Sequence, residues 1–217
     1  MQVVNIRGTT SSGKTTLMKQ IIESAGESAF ITLTKDVRGT LLPRIDAIVI
    51  GVSKPGSKFG GCDAIAKVEY MEQAIWKALS IMPTVLFEGL LVSHSFGRWL
   101  DFSVKLELLQ KKYTGARKGM IWAFINPTFR QNLKQLKKRN NLTDLREARG
   151  DEFIMNFVSR YKSIVRLEKK VVLAKQTIIY PLQDPYPADF VTEYIADIRD
   201  PVLLPLEKKG GIAKFLR

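Results

Sequence analysis

Residues 8–15 read GTTSSGKT, which fits the phosphate-binding pattern G-x-x-x-x-G-K-[ST] at every position. The two glycines let the backbone curl so that successive N–H groups point at phosphate oxygens. We expect Lys14 to reach the β- and γ-phosphates of a nucleotide and the hydroxyl of Thr15 to ligate Mg²⁺. The residues expected to bind the nucleotide are Gly8, Thr9, Thr10, Ser11, Ser12, Gly13, Lys14, Thr15 and Thr16.

The sequence on both sides of residues 8–15, which we call the P-loop, has the context that this chemistry requires. An apolar strand is predicted at residues 3–7, directly before the loop. Apolar residues at helical spacing follow it over residues 14–24, so the positive N-terminus of a helix faces the phosphates. A strand, a glycine-containing loop and a helix therefore occur in the order that a phosphate site needs.

The rest of the chain alternates between strand and helix patterns. Strands are predicted at residues 29–34, 47–52, 84–87, 120–125 and 177–182, and helices at residues 63–79, 96–112, 127–139 and 151–174. Such alternation predicts βαβ units. We predict an α/β P-loop NTPase fold with a mostly parallel sheet, helices on both faces and a helical basic lid. Residues 1–217 form one domain in this prediction, with the lid-like region at 127–174 and a flexible tail at 206–217.

The composition excludes several kinds of site. Cys62 is the one cysteine, so neither an internal disulfide nor a zinc site of several thiolates can form. His94 is the one histidine, which excludes metal sites built on several imidazoles. No apolar run approaches the roughly 18 residues of a membrane span, and the N-terminus lacks the pattern of a signal peptide. We therefore expect a cytoplasmic location and no membrane partner.

Two carboxylates are candidates for the chemistry. Glu88 ends the predicted strand TVLFE, and ligands bind at this edge of open α/β sheets, so Glu88 could ligate Mg²⁺ or position a substrate hydroxyl. Asp36 follows the second predicted strand, where a general base could accept a proton from an acceptor hydroxyl. Arg38 lies two residues later and could hold an acceptor phosphate. The sequence leaves open which of Asp36 and Glu88 is the base.

Positive charge is concentrated in one part of the chain. The net charge is +13, and residues 105–170 contain 17 Lys and Arg against 6 Asp and Glu. This region contains three arginines, Arg139, Arg146 and Arg149, that could fold over the phosphates and stabilise the charge of a transition state. We include Arg139 among the candidate catalytic residues. A basic segment of this size also attracts polyanions, so DNA is the expected partner.

The order of these features resembles the nucleoside and nucleotide kinase group, which includes thymidylate-kinase-like and polynucleotide-kinase-like proteins. In polynucleotide kinases an Asp just after the second strand acts as base and an Arg follows it. Asp36 and Arg38 fill similar places, with a spacing shorter by one. Thymidylate kinases carry an Asp-Arg pair where this chain has Glu88 and Gly89, so a plain thymidylate kinase fits less well.

A second resemblance rests on residues 58–63, which read KFGGCD and precede a predicted helix that Asp63 would cap. They are similar to a Gly-Gly-Cys-Asp loop in bacteriophage P-loop kinases, among them enzymes that phosphorylate 5-hydroxymethyluracil within DNA on the way to hypermodified thymidines. The resemblance implies ATP and Mg²⁺ as cofactors and the host cytoplasm as location. An unstacked base would need an aromatic partner, for which Phe59, Trp99 and Trp122 are candidates, although the place of Trp122 in a predicted strand favours core packing for it.

Two other functions remain open at this point. A kinase of free nucleosides or nucleoside monophosphates would turn over monomers and need no affinity for DNA. A nucleotide-dependent DNA-binding ATPase would release phosphate without an acceptor, although the chain lacks a clear hydrophobic-plus-Asp-Glu motif for it. The sequence does not determine the oligomeric state.

Overall fold

A computed structural model describes residues 1–51, 61–62, 65, 67–89, 96–114, 119–125, 127–140, 145–173 and 177–180. Its strands are β1 (Gln2–Gly8), β2 (Ala29–Thr32), β3 (Arg38–Leu42), β4 (Ala47–Ile50), β5 (Thr84–Glu88), β6 (Met120–Ile125) and β7 (Thr177–Tyr180). Its helices are α1 (Lys14–Ala25), α2 (Val68–Leu79), α3 (Phe96–Thr114), α4 (Phe129–Asn140) and α5 (Leu145–Leu173).

The seven strands form one sheet in the order β2-β3-β4-β5-β1-β6-β7. The five neighbours from β4 to β7 pair in parallel, and β3 alone runs antiparallel to the strands on either side of it. The strand that precedes the P-loop, β1, lies between β5 and β6, and all seven of its residues are buried. The predicted α/β fold with a mostly parallel sheet is confirmed.

Helices cover both faces of the sheet. Successive side chains of β1 point to opposite faces, so β1 contacts helices on both sides. Val4 and Ile6 pack with Leu17 and Ile21 of α1 on one face. Val3 belongs to a larger cluster on the other face, which receives apolar side chains from α2, α3 and α5. The amphipathic pattern of each helix therefore matches a buried surface of the sheet.

The hairpin of β2 and β3 is the main departure from the predicted topology. Residues 38–42 read RGTLL and lack a clear strand pattern, yet they pair with both β2 and β4. Gly39 pairs with Ile50 of β4, and a β-carbon on Gly39 would lie 3.0 Å from the side chain of Ile48. Pairing with strands on both sides, rather than local sequence preference, makes this segment a strand.

Two helices also differ in part from the predictions. The helix predicted from residue 63 begins at Val68, and the amide of Ile65, before it, bonds the carbonyl of Cys62. In α5, Gly150 has non-helical angles (φ 74°, ψ 169°), so the long helix begins after it at the predicted residue 151, and the short helix over residues 145–149 was not predicted. Asp63 and the expected tail at 206–217 lie outside the described residues.

The N-terminal turn of α4 is held by a reciprocal cap. Thr128 Oγ1 accepts a hydrogen bond from the amide of Gln131, and the Gln131 side chain accepts one from the amide of Thr128. Further along, Leu136 packs with Phe157 of α5 in a small cluster of its own.

None of the helices in the described part of the chain combines the length and apolar character needed to cross a membrane.

Candidate active site

The P-loop leaves the sheet at the carboxyl ends of three adjacent parallel strands. Gly8 pairs with Ile125 of β6, and Ile6 pairs with Glu88 of β5. Ligands bind at this edge in open α/β sheets because the loops there meet the N-termini of the helices. The fold thus places the end of β1, the end of β5 and the start of α1 together.

Both P-loop glycines occupy positions that other residues fit poorly. A β-carbon on Gly8 would lie 2.8 Å from the carbonyl oxygen of Ile125, which is closer than van der Waals contact allows. Gly13 caps α1 with a φ of 96°, in the left-handed region that favours glycine. The glycine spacing of the motif therefore has a steric cause in this fold.

Lys14 is turned back over the loop that precedes it. Its Nζ donates hydrogen bonds to the carbonyl oxygens of Gly8 at 3.0 Å and Thr9 at 2.8 Å. The hydroxyls of Thr10, Ser11 and Ser12 are buried without a hydrogen-bond partner among the described residues. Buried hydroxyls of this kind are costly unless a ligand satisfies them, so the loop fits a phosphate group. Thr16, the last residue of the expected set, is exposed on the first turn of α1.

Thr15 and Glu88 meet across the gap between α1 and β5. Thr15 Oγ1 donates a hydrogen bond of 2.9 Å to Glu88 Oε1, and Glu88 is only 2% exposed. A hydroxyl and a carboxylate are ligands that Mg²⁺ accepts, with water and phosphate oxygens completing its shell. No group of three or more His, Cys, Asp or Glu side chains suited to a metal occurs in the described ranges. The two residues expected to ligate Mg²⁺ are therefore neighbours, and they fit the ion as a partial set of ligands.

Gly61 and Cys62 are the two described residues of the KFGGCD segment, and both lie beside this pair. Gly61 has a φ of 88°, and a β-carbon there would lie 2.7 Å from the carboxyl carbon of Glu88. Its amide bonds the carbonyl of Gly51 at the end of β4. The Cys62 thiol is fully buried and donates to the carbonyl of Ile50 at 3.6 Å. The segment thus approaches Glu88 closely at a position where a side chain would collide with it.

Arg7 was not anticipated from the sequence. It is 1% exposed on β1, donates to the carbonyl of Gly89 at 3.4 Å and lies 5.5 Å from the centre of the Trp122 ring. Burial lowers the pKa of Arg7 to about 9, and the electrostatic interaction with the nearby Cys62 sulfur opposes this shift. The signal that points to it is the one charged residue of β1, directly before the P-loop.

Asn132 was also missed. It is fully buried on α4, where its Oδ1 accepts a hydrogen bond from Thr9 Oγ1 at 2.5 Å and its Nδ2 donates to the carbonyl of Thr10 at 2.7 Å. Its position three residues after Phe129 and four before Leu136 places it on the inward face of a basic helix. A polar residue on that face is the signal in the sequence.

Asp36 and Arg38 lie at the same edge of the sheet as the P-loop but further along it. The turn between β2 and β3 contains Asp36, closed by a hydrogen bond from the Leu33 amide to the Val37 carbonyl, and both candidate residues are exposed. Two strands, β4 and β5, separate β3 from β1. At the usual strand spacing this corresponds to about 14 Å between β3 and β1.

The other candidate residues from the sequence, the lid arginines and the aromatic side chains, lie in different environments. Arg139 is exposed in the last turn of α4. The side chains of Arg146 and Arg149, and all of Phe59, fall outside the described residues. Trp99 and Trp122 are buried in the core, where Trp99 packs against Phe87. The suggestion that either tryptophan stacks on a substrate base is therefore wrong, because the sheet and α3 already cover both rings.

The chain is similar to curated proteins from bacteriophages. It is 27% identical over 188 residues to the 5-hmdU DNA kinase of Pseudomonas phage M6, an alignment that covers 82% of this chain and 89% of that protein. The resemblance to phage 5-hmdU DNA kinases is confirmed. Identity is 29% over 100 residues to the 5-hmdU DNA kinase of Pseudomonas phage PaMx11, covering 45% of this chain and 53% of that protein.

A third similarity is partial. The 5-hmdU DNA kinase of Bacillus phage SP10 is 26% identical over 137 residues, which are 63% of this chain and 21% of that protein. The chain thus corresponds to nearly all of the first relative, about half of the second and a fifth of the third. No protein-family model matches the chain.

Proposed function

We propose that the chain is an ATP- and Mg²⁺-dependent kinase that transfers the γ-phosphoryl group to the hydroxyl of 5-hydroxymethyluracil within DNA, as a step in thymidine hypermodification. The observation that carries the proposal is the contact of Thr15 with Glu88 at 2.9 Å beside a complete P-loop. This pair of side chains provides two oxygen ligands for Mg²⁺ next to the start of α1. The names of the three phage relatives supply the substrate class.

In this proposal the loop holds the triphosphate of ATP by its N–H groups and by the buried hydroxyls of Thr10, Ser11 and Ser12. Lys14 exchanges its bonds to the Gly8 and Thr9 carbonyls for phosphate oxygens and neutralises charge there. Mg²⁺, when bound, would offset the charge that develops on the phosphate oxygens. Thr15 and Glu88 are the residues that would hold it.

Phosphoryl transfer joins the acceptor oxygen to the γ-phosphorus and breaks the bond from that phosphorus to ADP. The hydroxyl loses its proton in the same step, and we assign Asp36 as the group that accepts it. Because β4 and β5 lie between β3 and β1, the acceptor must sit over the carboxyl ends of those two strands. Glu88, on β5 itself, is the competing base.

The proposed DNA surface lies on α4. Arg130, Lys134, Lys138 and Arg139 are exposed there, and Lys137 is partly exposed. A DNA substrate needs contacts to several phosphates, whereas a free nucleotide needs only a few. The surplus of positive charge in residues 105–170 exceeds what a lid for one triphosphate requires, which favours a polymeric acceptor.

One transfer experiment tests the proposal against its rivals. ATP labelled in the γ-phosphate is offered with DNA that contains 5-hydroxymethyluracil, with the same DNA containing thymine, and with the free nucleoside. We expect label only in the modified DNA. Equal labelling of the free nucleoside would identify a monomer kinase, and release of labelled phosphate without any acceptor would identify an ATPase.

A further inference from the structure

The basic helix α4 is joined directly to the P-loop by Asn132. The carboxamide of this residue accepts from the Thr9 hydroxyl at 2.5 Å and donates to the Thr10 carbonyl at 2.7 Å. Both Asn132 and Thr9 are buried, at 0% and 2% exposure, so water does not readily replace either bond. The contact joins residues more than 120 positions apart in the sequence.

The two bonds fix the first half of the loop. Lys14 already engages the carbonyls of Gly8 and Thr9 from inside the loop. From outside the loop, the side chain of Asn132 forms hydrogen bonds with the Thr9 hydroxyl and the Thr10 carbonyl. If Lys14 turns to a phosphate, the bonds of Asn132 remain, together with the hydrogen bond from the Ser12 amide to the Thr9 carbonyl, and they hold the peptide groups at residues 9–11 in orientation.

The chemistry of the contact requires an amide side chain. An Asn presents a carbonyl acceptor and an NH₂ donor on one planar group, and the Thr9 hydroxyl and the Thr10 carbonyl need one of each. A carboxylate at this position would retain the acceptor and lose the donor, and it would add a negative charge beside a triphosphate. An aliphatic residue would offer neither.

The helix that carries Asn132 is itself held in place by other contacts. Thr128 and Gln131 cap its first turn, and Leu136 packs against Phe157 of α5 one helical turn beyond Asn132. Phe129 also stacks edge-on against Tyr161 of α5. The carboxamide is therefore presented to the loop from a supported helix, which is what a residue that positions another group needs.

We propose that Asn132 is a positioning residue that keeps the P-loop in its binding conformation, so that its N–H groups point at the triphosphate before ATP arrives. The inference rests on the proposed function in that it takes ATP as the ligand of the loop. It predicts that losing the carboxamide weakens nucleotide binding more than it weakens the fold.

The test measures the Kd for ATP by calorimetry together with thermal unfolding. Asn132→Ala should raise the Kd about tenfold, as expected for the loss of buried hydrogen bonds, and Asn132→Asp should raise it further. Thr9→Val should raise the Kd as well, and the double variant Thr9→Val with Asn132→Ala should bind no more weakly than the worse single variant, since both remove one shared contact.

Leu136→Ala is the matched control. It removes an apolar side chain from the same helix, 2% exposed and packed on α5 rather than on the loop. It should lower the melting temperature at least as much as Asn132→Ala and change the Kd for ATP much less, because the Thr128–Gln131 cap and the Phe129–Tyr161 contact still hold the helix. If Asn132 only stabilised the fold, Asn132→Ala would resemble Leu136→Ala in both the melting temperature and the Kd for ATP.

The outcomes separate this inference from the proposed function. If Asn132→Ala and Asn132→Asp bind ATP as tightly as the wild type, or if the Kd effects of Thr9→Val and Asn132→Ala multiply in the double variant, the inference is overturned. If the variants change the Kd for ATP as expected but the wild type transfers no phosphate to DNA, the inference stands and the proposed function fails. If the wild type binds no ATP, both fail.

Discussion

Thr15 on α1 donates a hydrogen bond of 2.9 Å to Glu88 on β5, and the two residues are 73 positions apart in the sequence. Parallel pairing of β1 with β5 brings them together, since Ile6 and Glu88 lie side by side at the carboxyl edge. Gly61 closes over the same carboxylate from the other direction. The centre of the candidate site is therefore built from three separate segments of the chain.

Lys14→Ala should lower kcat by a factor on the order of 10² or more, because it removes the charge that neutralises the transferring phosphoryl group. The two hydrogen bonds from Lys14 to the Gly8 and Thr9 carbonyls lie within the loop and not in the core, so the melting temperature should change little. Steady-state kinetics and thermal unfolding of the same preparation check both parts. Activity within about threefold of wild type would show that the P-loop is not catalytic.

Asp36→Asn should abolish phosphoryl transfer while ATP still binds, because binding comes from the loop and proton removal comes from Asp36. Glu88→Gln should weaken the binding of Mg²⁺, so raising the Mg²⁺ concentration should recover part of its activity. Single-turnover transfer at several Mg²⁺ concentrations distinguishes the two variants. If Asp36→Asn transfers normally and Glu88→Gln is inactive at every Mg²⁺ concentration, Glu88 is the base.

Charge reversal of Lys134, Lys137 and Lys138 together should raise the KM for DNA and leave the KM for ATP nearly unchanged. In the wild type the logarithm of the affinity for DNA should fall with the logarithm of salt, by about 0.7 to 0.9 per phosphate neutralised. The triple variant should show a shallower slope in the same titration.

The matched control for this variant reverses Lys19, Arg44 and Lys77, which are exposed and lie outside residues 105–170. It changes the net charge by the same amount and should retain the wild-type slope. Equal salt slopes for the wild type and both triple variants would mean that α4 is only a solvated helix face.

Arg7 should make the stability of the fold depend on alkaline pH. Burial lowers its pKa to about 9 from the ordinary 12.5, so between these values the unfolded chain binds a proton that the folded chain has lost. Stability contributed by this group therefore rises as the pH increases through about 9. Below that pH both states are charged, and the fold bears the full cost of burying the guanidinium.

Urea unfolding of the wild type and Arg7→Met from about pH 7 to about pH 10.5 measures this effect. The difference in unfolding free energy should stay constant below about pH 8.5 and then shift in favour of the wild type, by at most about 1.4 kcal/mol per pH unit. Repeating the pair in a Cys62→Ala background removes the contribution of the neighbouring thiol. A difference that stays flat to the highest pH would contradict the lowered pKa.

The sequence by itself determined the parts of this protein that rest on local pattern. GTTSSGKT between an apolar strand and an amphipathic helix sets the loop, because glycine spacing, strand and helix are all properties of neighbouring residues. Alternating strands and helices predicted the mostly parallel sheet, and KFGGCD pointed to the phage kinases to which the chain is similar. Glu88 was singled out because it ends a buried strand.

The tertiary structure decided which distant residues meet the loop. RGTLL becomes β3 only because β2 and β4 pair with it, and this inserts two strands between the Asp36 turn and β1. Arg7 and Asn132 are polar residues inside apolar patterns, and nothing in their neighbours tells which backbone carbonyl each will bond. Such partners depend on how strands order in the sheet and how α4 packs, and these are non-local interactions that no window of sequence contains.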